Sequence, residues 1–77
     1  MDDDLLTVFQ EALQLEALPD PNELRYNEYP GWDSVGHMTL VAAIEERFGI
    51  MMETDDILDM SDFAKAKEIV TRHGAGV

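Results

Sequence analysis

The chain has 77 residues, enough for one domain, and sets 17 Asp and Glu against 5 Lys and Arg for a formal net charge of −12 at pH 7. That balance argues against nucleic acid or an anionic membrane as partner and favours proteins with basic patches. There is no cysteine, which excludes a disulfide framework, a thiolate metal site and a cysteine nucleophile, so any thiol chemistry has to arrive on a cofactor.

No run of apolar residues approaches the length that crosses a bilayer, and the opening Met1-Asp2-Asp3-Asp4 is acidic where a secretory signal is basic. A cytoplasmic protein is expected. The charge is uneven: residues 1–62 balance to −14, whereas residues 63–77, with Lys65, Lys67 and Arg72 against Glu68, balance to +2.

The first helix is expected to begin near Asp3 or Asp4, whose carboxylates suit the positive end of the helix dipole. Leu5, Leu6, Val8, Phe9, Ala12 and Leu13 form its broad apolar side, and the pattern weakens after Leu15. Residues 16–33 contain Pro19, Pro21 and Pro30 and no sustained period, a long loop for so small a domain. One helical turn is expected around Pro21 to Leu24, with Leu18, Leu24, Tyr26, Tyr29 and Trp32 pinning the segment to the bundle.

The next helix is the most sharply delimited. Asp33 is placed to accept a backbone hydrogen bond as N-cap, Ser34 opens the first turn, and Gly49 supplies the stop. At about 100° per residue, Leu40, Val41, Ile44 and Phe48 share one face, while Val35, Met38 and Ala42 share roughly the opposite one. Glu45 and Glu46 border that second stripe, so an apolar strip with acidic edges is left for a partner to dock on. Further acids, Glu53, Asp55, Asp56, Asp59 and Asp62, extend the negative character.

Thr54 or Asp55 is expected to cap a short third helix containing Ile57 and Leu58 and ending at Met60 and Ser61. Ser61 and Asp62 suit the start of a fourth, where Phe63, Ala66, Ile69 and Val70 make the buried face and Gly74 the stop, with residues 74–77 frayed. Residues 1–77 thus read as one all-α domain, a small four-helix bundle with three main helices, a short third helix and a long loop after the first.

A hydrolytic triad of Asp33, Ser34 and His37 is disfavoured, because Asp33 adjoins Ser34 and is poorly placed to orient the far side of the imidazole. His37 lies near the core stripe and reads as a partly buried side chain bonded to loop backbone or stacked near Trp32; His73 reads as a helix-end cation. The acids of residues 53–62 lack the alternation and central glycine of a calcium loop, so no metal site is assigned.

The triplet Asp33-Ser34-Val35, followed by Leu40-Val41, Ile44-Glu45-Glu46 and Phe48-Gly49-Ile50, resembles the signature of the acyl carrier protein family. In that family Asp-Ser-Leu opens the second helix of a small bundle, and the serine carries phosphopantetheine. The likeness extends more loosely over essentially the whole chain. It implies that Ser34 is the attachment site and that Asp33 helps present it. The chain would then be no enzyme but the substrate of a phosphopantetheinyl transferase, and would hold acyl or aminoacyl groups as thioesters.

The implied partners are that transferase, an acyl- or aminoacyl-loading ligase and downstream enzymes with basic patches, served by a monomer through Val35, Met38, Ala42, Glu45 and Glu46. Gly36, His37 and Thr39 stand where fatty-acid carriers commonly have acids. The resemblance is therefore closer to stand-alone carriers of specialised pathways. Gly36 also costs the helix about 1 kcal/mol relative to alanine. Met52, Ile57 and Met60 fall near positions that line the family's acyl pocket, with core packing as the plainer reading, and Trp32 has a second reading as a contact for the tethered arm. The alternative from another class is a small acidic adaptor that uses the same helix for protein binding without modification.

Overall fold

Three acids, Asp2, Asp3 and Asp4, occupy the first turn of helix α1, Asp2–Ala12, where the free amides and the helix dipole stabilise negative charge. The computed structural model describes residues 2–74; the expected fraying of residues 75–77 lies outside them. Helix α1 closes on a left-handed residue, Gln14 at φ 57°. The Leu15 amide bonds the Gln10 carbonyl at 2.9 Å and the Gln14 amide the Glu11 carbonyl at 3.3 Å, which is a Schellman closure built without glycine.

A 3₁₀ turn follows at Pro21–Glu23, capped by the Asp20 carboxylate. Helix α2 spans Ser34–Phe48, α3 spans Thr54–Asp59 and α4 spans Phe63–Arg72. The architecture is all-α, a four-helix bundle of three main helices and a short one with a long loop after the first, at a radius of gyration of 11.0 Å. Among the described residues the one extended pairing is an isolated bridge between Arg25 and Asp62. There the Tyr26 amide meets the Ser61 carbonyl at 2.8 Å and ties the loop to the α3–α4 junction.

The core draws on every segment: Leu5, Val8, Phe9 and Leu13 from α1, Leu40, Val41 and Ile44 from α2, and Phe63, Ala66, Ile69 and Val70 from α4. Leu24 and Trp32 are contributed by the loop, and Met52 and Met60 by the flanks of α3. Phe9 sits at the centre, its ring 5.1 Å from Trp32 in an edge-on contact and 5.6 Å from Phe63.

Leu24 and Trp32 pin the loop and Tyr29 is half-buried against it, but Leu18 is 56% exposed and Tyr26 37% exposed. The chain leaving the α1 closure turns Pro19 inward instead, and a rigid apolar ring takes the place expected of Leu18. Tyr26 lies over the core's rim, edge-on to Trp32 and His37.

The cap of α3 is one residue before Thr54 and two before Asp55, the two caps expected. Glu53 is the N-cap, and its amide donates to the Asp56 carboxylate at 3.1 Å. Asp56 is buried, and its other bonds join α3 to the end of α4, to the Arg72 guanidinium and to His73 Nε2, the latter at 2.8 Å. His73 is thus more than a helix-end cation. The hydrogen bond from His73, then that from the Glu53 amide, then the Arg72 charge hold the Asp56 carboxyl below the usual carboxylate range, against the opposing pull of burial.

A carboxyl whose folded value is depressed stabilises the fold above its unfolded value, about 3.9, and that contribution is lost as pH falls through the folded value. Asp56→Asn is therefore expected to cost about 1.5–3 kcal/mol at pH 7, the range for hydrogen bonds to charged groups. Urea unfolding at pH 7 and at acid pH checks this: the gap between wild type and variant should close as pH drops below about 4.

Candidate functional site

Ser34 is the first residue of α2 and is exposed. The capping role belongs to Asp33, whose extended backbone precedes the helix and whose Oδ1 accepts from the Gly36 amide at 2.8 Å. The Asp33 carbonyl takes the next amide, that of His37, at 2.7 Å. The hydroxyl of Ser34 is therefore not needed as the cap. The amides of Ser34 and Val35, which precede the first intrahelical donor, face the helix opening.

The first turn is held down by a close backbone approach. A Cβ built on Gly36 would fall 2.0 Å from the Gly31 carbonyl oxygen and 3.3 Å from Leu13 Cδ2, so residue 36 has to be glycine for the loop to pass there. Its helix-propensity cost is the condition for seating the Ser34 turn against the loop.

His37 is half-buried and both its ring nitrogens are engaged. Trp32 Nε1 donates to Nδ1 at 2.9 Å, and Nε2 lies 2.8 Å from the Ile57 carbonyl oxygen. The two rings lie side by side, 15° from parallel at a centroid separation of 6.2 Å, as the in-plane hydrogen bond requires. Both expected environments, loop packing and backbone bonding, are realised together, the backbone partner being on α3 rather than on the loop. With both nitrogens committed, His37 has none left to serve Ser34 as a base. Trp32 is fully buried, in line with its structural reading as an anchor of the loop.

Beside Ser34 the strip is exposed along its length: Val35 at 75%, Met38 at 55%, and Ala42 one turn further. Leu58 of α3 and Met51 before it, at 76% and 81%, are further apolar groups in solvent. Glu46 is exposed and lines a shallow cleft between α1 and α2 with Val8, Glu11, Ala43 and Arg47. Glu45 is half-buried, and its Oε2 accepts the Met52 amide at 2.8 Å.

The acidic run is accordingly thinner than its composition suggests. Glu45, Asp56 and Asp62 spend their carboxylates on backbone amides, Asp62 capping α4 through the Lys65 amide at 2.8 Å, while Glu46, Asp55 and Asp59 stay outside. These internal roles of Glu45 and Asp56 were missed from the sequence. A carboxylate at the third position of a helix, facing back to its cap, was the available signal for Asp56.

Met52 and Met60 are buried and Ile57 half-buried within the core, which is the core-packing reading. Among the described residues no group of three or more His, Asp and Glu is arranged to hold a metal ion, and no helix is long and apolar enough to cross a membrane. No family model, curated protein or solved structure matches this chain.

Proposed function

We propose that this protein is an acyl or aminoacyl carrier whose Ser34 bears a phosphopantetheine arm. The observation that carries the reading is an exposed serine at the open start of α2 whose capping duty has been taken by its neighbour Asp33. A phosphodiester at Ser34 keeps one negative charge, and the free first-turn amides and helix dipole stabilise an anion there. The chain needs no catalytic base, because a phosphopantetheinyl transferase would supply coenzyme A and deprotonate the hydroxyl. The arm's chemistry is that of its terminal thiol, which takes up carboxylic acids as thioesters.

In this reading Asp33 presents the serine, and Val35, Met38 and Ala42, edged by Glu46 and the remaining carboxylate oxygen of Glu45, form the strip that basic-patched enzymes grip. The partners are the transferase, an acyl- or aminoacyl-loading ligase and the enzymes that take the cargo onward, in the cytoplasm, with the carrier a monomer of a specialised pathway.

Intact mass after incubation with coenzyme A and a broad-specificity transferase tests the proposal. One arm added to the wild type and none to Ser34→Ala is the expected result. A folded wild type that stays at its unmodified mass would leave the unmodified acidic adaptor as the function. Met38→Glu, on the exposed strip, is expected to slow transfer from the loading enzyme on the order of tenfold, the loss of about 1.4 kcal/mol at a docking anchor, with the far-ultraviolet circular dichroism unchanged.

A further inference from the structure

We propose that His37 is an acid-sensitive latch that joins the loop leading into Ser34 to α3 and stays closed only while its imidazole is neutral. The inference goes beyond the carrier reading and does not depend on it. Indole nitrogen is a donor only and a carbonyl oxygen an acceptor only. Between Trp32 Nε1 at 2.9 Å and the Ile57 carbonyl at 2.8 Å, the ring therefore has to accept at Nδ1 and donate at Nε2. One of its three protonation forms does both, the neutral ring with hydrogen on Nε2.

Protonation at Nδ1 sets N–H against N–H. The Trp32 side chain is wholly buried and cannot turn its donor to water, so the charged ring leaves a buried donor without a partner. His37 also sits in the first turn of α2, where the helix dipole opposes a positive charge.

No neighbouring group offsets that charge. From the loop, Tyr26 meets the ring edge-on at 4.9 Å, and uncharged Trp32 lies beside it in nearly the same plane. On its own helix the Asp33 carboxylate is engaged by the Gly36 amide, and on α3 Asp56, next to Ile57, is engaged by Arg72 and His73. Among the described residues no carboxylate lies within 4.0 Å of a His37 nitrogen. The latch joins Trp32 of the loop to the middle of the 6-residue helix α3 through His37, so losing the Trp32 bond frees the loop that leads into Ser34 while Nε2–H still holds the first turn of α2 to Ile57.

Trp32 is the chain's one tryptophan, which makes its indole N–H resonance a direct reporter. Following that resonance and the ring-nitrogen shifts of His37 from about pH 8 to about pH 5 covers the range in which histidines titrate. In wild type the indole resonance should move as His37 gains its proton, because its acceptor at Nδ1 is lost. His37→Gln, whose amide can accept from Trp32 and donate to Ile57 without titrating, should hold the indole resonance steady. His73→Gln should keep the wild-type response.

An indole resonance that stays fixed while His37 protonates would overturn the latch, as would a His37→Gln response equal to that of wild type. Should His37→Gln not fold, the wild-type ring-nitrogen shifts at about pH 8 still decide. Hydrogen on Nε2 supports the latch, and hydrogen on Nδ1 overturns it.

Discussion

Trp32→Ala is expected to remove between about a quarter and all of the folding free energy. The side chain is fully buried, lies edge-on to Phe9 at 5.1 Å, and donates to His37 at 2.9 Å. Truncating a buried tryptophan costs about 3–5 kcal/mol through lost transfer energy and the cavity left behind. A chain of 77 residues commands about 4–12 kcal/mol in all, at about 0.05–0.15 kcal/mol per residue.

With a urea slope near 1 kcal/mol per molar, at the low end for small domains, the midpoint should drop by about 3 M or the variant should be unfolded in buffer. Circular dichroism reads this without the tryptophan signal. Trp32→Phe separates the two contributions, since it fills much of the space but leaves His37 Nδ1 without its donor. A loss for Trp32→Ala below about 1 kcal/mol would mean that the loop is not anchored through this ring.

Gly36→Ala should destabilise the protein although helix propensity alone predicts a gain of about 1 kcal/mol. The added methyl would fall 2.0 Å from the Gly31 carbonyl oxygen, a backbone atom that cannot swing away as a side chain would. Gly31 is itself at φ 88°, with Leu13 carbonyl oxygen 3.2 Å from where its own Cβ would sit, so the loop has little freedom to yield. Overpacking of this kind costs about 1–3 kcal/mol and occasionally more. A net loss of up to about 2 kcal/mol in urea unfolding is expected once the propensity gain is subtracted. A stabilised variant would show that the loop moves aside freely.

If Ser34 carries the proposed arm, the same substitution should slow its attachment, because the first turn of α2 is the turn being lifted.

The surface ion pairs carry little by comparison. Arg47–Asp4 at 2.7 Å and Lys67–Asp2 at 3.1 Å join groups about half exposed to water, a setting in which such pairs contribute about 0.2–1 kcal/mol. They do hold α1 to α2 and α4 at the acidic end of α1. Among the described residues Arg25 alone of the cations has no ion pair, and it is held through its backbone bridge to Asp62.

By itself the sequence determined the helices, their buried faces and the caps of α2 and α4. The 3.6-residue period, the Asp N-caps and the terminal glycine of α2 act within a few residues along the chain, so they are legible without knowing what packs where. It also determined that Val35, Met38 and Ala42 would lie away from the core, since their phase on α2 opposes Leu40, Val41 and Ile44. Tertiary structure alone decided which polar groups are spent inside: the binding of Asp56 by Arg72 and His73, the hold of Glu45 on the Met52 amide, and the span of His37 from Trp32 to Ile57. Those bonds join residues from different segments, and whether a carboxylate faces a partner or an amide is settled by distances that close only when the helices meet. The need for glycine at residue 36 has the same origin, because a propensity scale sees the helix and not the carbonyl of the loop that crosses it.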